Sequence, residues 1–186
     1  MNTFKILIAT GVIILVGSLL TGCKTSDSVS NAVQGLREAA HLAHDAELSL
    51  SGEHQSDTLT VKVTLQNPTH KPITSVQSWL TFDPKKLQGT GVDISKSPFS
   101  LTAPFENTFD NQDGLVRLGR GSDKPLSDGF LTVATLTFKV VSAGTTMMDA
   151  YDYRSNLRGH ASANVVINGQ PYNVLKKPLN PLLVIQ

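Results

Sequence analysis

Few residues in this chain combine a reactive type with a usable spacing, and Cys23 comes first among them. It is the only cysteine in 186 residues, so no intramolecular disulfide competes for its thiol. It closes the tetrapeptide Leu20-Thr21-Gly22-Cys23, directly behind an uncharged apolar run from Ile6 to Leu20. His41 and His44, three apart, can share one helical face, but two imidazoles do not complete a metal shell. With His54, His70 and His160 they read as exposed polar decoration. Asp110, Asp113, Asp123 and Asp128 supply carboxylates in two loops. Glycosidic cleavage needs two carboxylates at a set separation beside a sugar cleft. Calcium suits carboxylate and carbonyl oxygens, but the chain has no Asp-x-Asp-x-Asp run, and turn chemistry accounts for these acids. No Gly-x-Ser-x-Gly elbow presents a nucleophilic serine. Catalysis, a metal and any other cofactor are therefore not expected.

The apolar run is too short to span a bilayer comfortably and has the length of a signal-peptide core, with Lys5 as its basic flank. Leu20-Thr21-Gly22-Cys23 resembles the bacterial lipobox. That resemblance implies cleavage between Gly22 and Cys23 and a diacylglycerol thioether on Cys23. Residues 1–22 are then a lipoprotein signal peptide, and the mature chain is exported and tethered to the cell envelope through its N-terminal lipid, at the outer membrane or the outer face of the cytoplasmic membrane. Lys24, in place of an Asp there, points in a two-membrane cell to the outer membrane.

The 16 basic and 15 acidic side chains nearly cancel, so nothing suggests the clustered basic surface of a nucleic-acid binder. Residues 23–45 read as a linker or stalk. Val29, Ala32, Val33, Leu36, Ala39, Ala40 and Ala43 recur at three- and four-residue spacing, enough for a marginal helix that Gly35 weakens. From Ala46 the period becomes two. Leu59, Val61, Val63 and Leu65 alternate with Thr60, Lys62 and Thr64, and Asn67-Pro68 ends the strand. A second strand runs from Thr74 to Asp83, with Val76, Ser78, Leu80 and Phe82 on one face and Ser75, Gln77, Trp79 and Thr81 on the other.

Weaker strands are expected around Phe105–Phe109 and Leu115–Gly119, separated by the turn at Asn111–Gly114. Phe130 to Val141 alternates with a slip near Ala134–Thr135, the mark of a bulge or a break. Val165–Ile167 is the last core strand, followed by the Asn168-Gly169 turn. The proline-containing tail over 170–186 is an edge strand or a strap. Short strands, regular turns and no long amphipathic helix argue for an all-β antiparallel sandwich over 46–169.

Three further stretches carry a family resemblance. Val61–Asn67 followed by Ile73–Leu87 gives an aliphatic strand and then a strand ending aromatic-Asp-x-x-x-Leu. Asp128–Val140 places Gly before an Ala-Thr-aliphatic-x-Phe-x-Val strand, and Tyr151–Ile167 is similar to closing strands. In this order they resemble a cohesin domain. The resemblance implies a jelly-roll β-sandwich of about nine strands, related in fold to some carbohydrate-binding modules. It also implies a partner: a dockerin-like protein, a small calcium-loaded helical module bound on one flat sheet face. That face carries Ser75, Gln77, Trp79 and Thr81, with Arg117 from the neighbouring strand. Cohesins commonly carry Asn or Asp where Gln77 stands.

The leading expectation is thus a non-catalytic, lipid-anchored surface protein that binds another protein through this face. If Trp79 faces outward it can anchor a protein partner, since tryptophan is enriched at interface hot spots, or stack a sugar ring; a one-residue slip of register would make it core instead. The alternative is a carbohydrate-binding or adhesive module holding the cell to polysaccharide. For that role Tyr151 and Tyr153, at i and i+2 on one strand face, are the candidate stacking residues.

Overall fold

The period of two in Thr58–Gln66 decides the first sheet, because it gives one segment a wholly apolar face and a polar one. Leu59, Val61, Val63 and Leu65 are buried, while Thr60, Lys62 and Thr64 face outward. Each such aliphatic side chain removed from water contributes about 1.5–3 kcal/mol. The structure, a computed structural model, describes residues 33–38, 40–151, 161–177 and 181–185. The segment expected to be a signal peptide, and Cys23, lie outside them. Contacts divide the chain after His41 into two units. In the first, residues 33–38 are helical, and Gln34 Nε2 donates to Glu38 Oε1 at 2.9 Å one turn away.

The second unit holds the strands. They are β1 (Ala46–Gln55), β2 (Thr58–Gln66), β3 (Ile73–Thr81), β4 (Leu87–Asp93), β5 (Leu101–Thr102), β6 (Thr108–Asp110) and β7 (Leu115–Leu126), followed by β8 (Phe130–Val140), β9 (Thr145–Ala150), β10 (Ala161–Ile167), β11 (Gln170–Asn173), β12 (Leu175–Lys177) and β13 (Leu182–Ile185). One sheet runs β12-β1-β2-β8-β4. The other runs β11-β10-β3-β7-β5, with β6 on β7 and β9 bridging β3 to β13. The chain is an antiparallel-rich β-sandwich, as its strand pattern implies. The exception in direction is β1–β12, which is parallel.

The core lies between the inner faces. Leu48, Leu59, Val61, Val63, Leu65, Leu131, Leu136 and Phe138 come from the first sheet. Ile73, Val76, Leu80, Val116, Leu118, Ala163 and Val165 come from the second. At one end Phe82, Phe109 and Phe138 meet edge to face, with Phe138 5.2 Å from each of the others. Edge-to-face pairs of this kind add about 0.5–1.5 kcal/mol beyond burial.

Several sequence expectations are refined. The slip in β8 is a bulge rather than a break, and it falls at Val133: Val63 pairs with Ala134 and Thr64 with Thr132, leaving Val133 unpaired. The strand expected at Phe105–Phe109 is only Thr108–Asp110, because Phe105 and Asn107 both take left-handed backbone angles, φ 61° each, which no ladder accepts. The strand at Leu115–Gly119 continues to Leu126. Val165–Ile167 does not end the sheets, for β11 to β13 follow. Within the tail, β12 is an edge strand on β1, and β13 pairs with β9. The Asn168-Gly169 turn has φ of 50° and 77° at its two positions, the pattern of a tight two-residue hairpin between β10 and β11.

Candidate functional site

In β3 the inward set Val76, Ser78 and Leu80 packs into the core, so the pleat sends Ser75, Gln77, Trp79 and Thr81 to the outer face of the second sheet. A bulge at Thr74 precedes them: on the β10 side Val165 pairs with Ile73 and Asn164 with Ser75, leaving Thr74 unpaired, while on the other side β7 loops out over residues 122–125. On β7 the same outer face receives Arg117, Gly119 and Gly121, directly across from Trp79, Gln77 and Ser75. On the other side β10 adds Ser162 opposite Gln77 and Asn164 opposite Ser75. The five residues singled out in the sequence therefore share one face.

Trp79 is half-buried and closely surrounded. The Arg117 guanidinium lies 5.4 Å from its ring centroid, a cation–π contact. Tyr151 meets the indole edge-on, centroids 5.9 Å apart and planes at 64°, and its backbone N–H donates to the Trp79 carbonyl at 2.8 Å. Indole Nε1 donates to both carboxylate oxygens of Glu106 at 3.1 Å, and Gln77 Nε2 reaches Glu106 Oε1 at 3.4 Å. Arg117 also approaches Asp110, Nη2 to Oδ2 3.7 Å. Further along, Asn164 Nδ2 donates to Ser75 Oγ at 3.0 Å and to Ser162 Oγ at 3.2 Å. The face thus grades from aromatic and charged around Trp79 to hydroxyl and amide groups around Ser75.

Glu106 is the residue that sequence reasoning missed. It sits in a clasp, residues 103–107, which leaves β5 and lies across β7. Ala103 N–H donates to the Gly119 carbonyl at 3.1 Å, and Asn107 N–H donates to the Arg117 carbonyl at 2.7 Å. Phe105 and Asn107 flank Glu106 at positive φ, which turns the chain so that the carboxylate points back onto Trp79. Gly119 makes the approach possible: a Cβ there would stand 2.7 Å from Glu106 Cγ and 3.1 Å from Ala103 Cβ. Glycine inside a strand marks such close approaches, and that glycine, together with the αL-tolerant Asn107, is the signal by which the clasp could be suspected. From the core side, buried Arg120 donates to the Phe99 carbonyl and to Thr102 Oγ1, tying down the segment that leads into the clasp. Burial pushes the Arg120 guanidinium below its ordinary value.

The other sequence candidates are dispersed. His41, His44, His54 and His70 are exposed, and His160 lies outside the described residues. His70 Nδ1 is 2.7 Å from the Ser127 carbonyl. Asp110 accepts from the N–H groups of Gln112 and Asp113, an Asx turn, and Asp123 accepts from Ser100. Among the described residues no three His, Cys, Asp or Glu side chains gather as a metal site. Tyr151 belongs to the Trp79 cluster, and Tyr153 lies outside the described residues.

Comparison with known proteins adds to this geometry. A family model described as a cohesin domain matches residues 48–165. Among solved structures, the seventh ScaB type I cohesin of Pseudobacteroides cellulosolvens superimposes with a TM-score of 0.56 at 12% identity, over 75% of this chain and 90% of that one. The third ScaC cohesin of Acetivibrio cellulolyticus, solved in complex with the ScaB dockerin, gives 0.55 at 18%, over 76% and 99%. The OlpA cohesin of Clostridium thermocellum, in complex with Doc918, gives 0.54 at 14%, over 75% and 97%. At these identities the likeness is one of fold. No curated protein matches the chain.

Proposed function

This chain belongs to the cohesin family, and we propose that it is a non-catalytic, lipid-anchored surface protein that captures a helical, calcium-loaded module of the dockerin type. The observation that carries the proposal is the convergence of Ser75, Gln77, Trp79, Thr81 and Arg117 on the outer face of the second sheet. Two of the similar cohesins were solved with a dockerin bound. Trp79 supplies area, the cation over its ring supplies polarity, and Ser75 and Asn164 supply hydrogen bonds at the periphery, the usual division of an interface into core and rim. Strand pairing fixes this face before any partner arrives, so little ordering accompanies binding. Isothermal titration of the full chain with calcium-loaded dockerins tests the reading. Saturable binding that Trp79→Ala weakens is the expected result, and no binding to any dockerin would overturn it.

The tether follows from Cys23. Cleavage before it and transfer of at least two acyl chains, as the lipobox resemblance implies, suffice for stable membrane attachment. The intact mass of protein extracted from membranes should equal the chain from Cys23 plus lipid.

The carbohydrate alternative draws its support from aromatic residues. Tyr151 and Trp79 meet at 64° rather than lying coplanar, which favours a protein partner over a stacked sugar. Pull-down on cellulose, chitin, xylan and peptidoglycan separates the two.

A further inference from the structure

The clasp does more than cover β7. It places the ring of Phe105 almost wholly in water, 92% exposed, on the rim of the face that carries Trp79. A bulky residue at φ 61° is an outlier of backbone geometry, and such outliers gather at ligand clamps and active sites. Nothing in the ring's own surroundings rewards that conformation, since it has almost no covering contact. The neighbours hold it: Glu106 on Trp79 and Gln77, Asn107 on the carbonyls of Arg117 and Gly119, and Arg120 on Phe99 and Thr102. Leu101, 53% exposed, stands on the same side, paired with Gly121 of the outer face. Two apolar side chains therefore rise beside Trp79 and its polar neighbours, with Val166 of β10, 48% exposed, farther along the same sheet face.

The geometry points to Phe105 as the residue that reads the partner: an aromatic anchor, supported by Leu101, that enters an apolar pocket on the docking module. This rests on the reading that the outer face of the second sheet binds a dockerin-type protein, and it deepens that reading by naming what the partner must present. The partner's surface carries an apolar pocket, positioned beside polar groups that meet Ser75, Gln77 and Asn164. A ring on a fixed backbone loses little freedom on insertion, because only its two side-chain torsions remain to be ordered. Rigid aromatic anchors of this kind dominate interface energetics while their neighbours mainly exclude water.

The inference separates Phe105 from an ordinary exposed hydrophobe by a contrast within the same molecule. Phe130, 75% exposed, lies at the start of β8 on the outer face of the opposite sheet. Both rings are accessible, and only one adjoins the candidate face. Asparagine tolerates positive φ better than phenylalanine does, so Phe105→Asn removes the ring without disturbing the clasp.

The test titrates the full chain, and its Phe105→Asn and Phe130→Ala variants, with the calcium-loaded ScaB dockerin of Acetivibrio cellulolyticus and Doc918 of Clostridium thermocellum, with melting temperatures measured alongside. Phe105→Asn is expected to weaken binding about tenfold or more, with a melting temperature equal to or above the parent's. Phe130→Ala is expected to leave binding unchanged. Equal affinity for parent and Phe105→Asn overturns the inference while leaving the dockerin reading standing. Equal loss in both variants also overturns it, by showing a general effect of exposed apolar surface. If the unaltered chain binds neither dockerin, the reading itself fails and the inference falls with it.

Discussion

Gly119→Ala tests the clasp at its tightest point. The added methyl would stand 2.7 Å from Glu106 Cγ and 3.1 Å from both Glu106 Cβ and Ala103 Cβ. Glu106 cannot simply swing aside, because its carboxylate is bonded to Trp79 and Gln77, and its backbone is fixed between two positive-φ residues. Overpacking of this kind costs about 1–3 kcal/mol. If the clasp lifts instead, the charge-assisted bonds from Trp79 are lost, at about 1.5–3 kcal/mol. Either route places the destabilisation at about 1–3 kcal/mol. Trp79 is the only tryptophan, so its fluorescence reports the clasp directly, while far-UV circular dichroism reports the sandwich.

Urea unfolding of the parent, Gly119→Ala, Glu106→Ala and the double variant completes a cycle. Removing Cγ at Glu106 relieves the shortest contact, so Gly119→Ala should cost less in the Glu106→Ala background, with a coupling of about 0.5 kcal/mol or more. A red shift of the Trp79 emission in the single variant is expected as the indole loses its cover. An additive cycle, or a Gly119→Ala variant with unchanged emission and midpoint, would refute the reasoning.

Two further perturbations probe other joints. Burial works to raise the Asp45 carboxyl, but hydrogen bonds from Lys71 and Thr69 and the charge of Lys71 outweigh it and hold the group below the ordinary carboxylate value. A carboxyl depressed in the folded state stabilises the fold above its unfolded value, about 4, and that contribution is lost as pH falls through the folded value. The urea midpoint of the parent should therefore fall more steeply than that of Asp45→Asn between about pH 5 and about pH 3; parallel profiles would contradict the assignment. At Gly89 a methyl would come within 2.1 Å of the Phe109 ring, which is wedged against Phe82 and Phe138. Gly89→Ala should cost about 3 kcal/mol or more, and a melting point within about 2 °C of the parent would speak against that packing.

The parts of this fold legible from sequence are those in which side chains within a few residues of one another decide the outcome. The alternation of Leu59, Val61, Val63 and Leu65 fixes β2, and the same logic places Trp79 opposite Leu80 and on the outer face. Asn168-Gly169 announces its turn because both positions need positive φ. β4 is hidden, since Gly89 and Gly91 interrupt its pattern. Gly89 is there to admit the Phe109 ring, and its N–H and C=O are met by the side chain of Asn111, 22 residues away. β9 is hidden because Thr145–Ala150 acquires one of its partners only from β13. The clasp is hidden for a related reason: the conformation of Phe105 and Asn107 is stabilised by a carboxylate–indole contact spanning 27 positions. Local pattern favours a strand there, and tertiary contact overrides it.

The parallel pairing of β1 with β12 bears on how the protein comes into being. Lys176 Nζ lies 3.0 Å from Glu47 Oε1, bridging 129 positions of chain. During synthesis from the N-terminus, β1 can meet β2 early, yet its other edge stays bare until residues 175–177 have emerged, and β9 waits equally for β13. Contacts of such sequence separation close slowly, and bare strand edges invite pairing with other chains in the interval. The core strands can pair before the C-terminal strands emerge, but one edge of β1 and one edge of β9 stay open until then. The same property makes trimming the last dozen residues more hazardous than their modest size suggests: a truncated chain would keep most of its core and still expose one edge of each of β1 and β9.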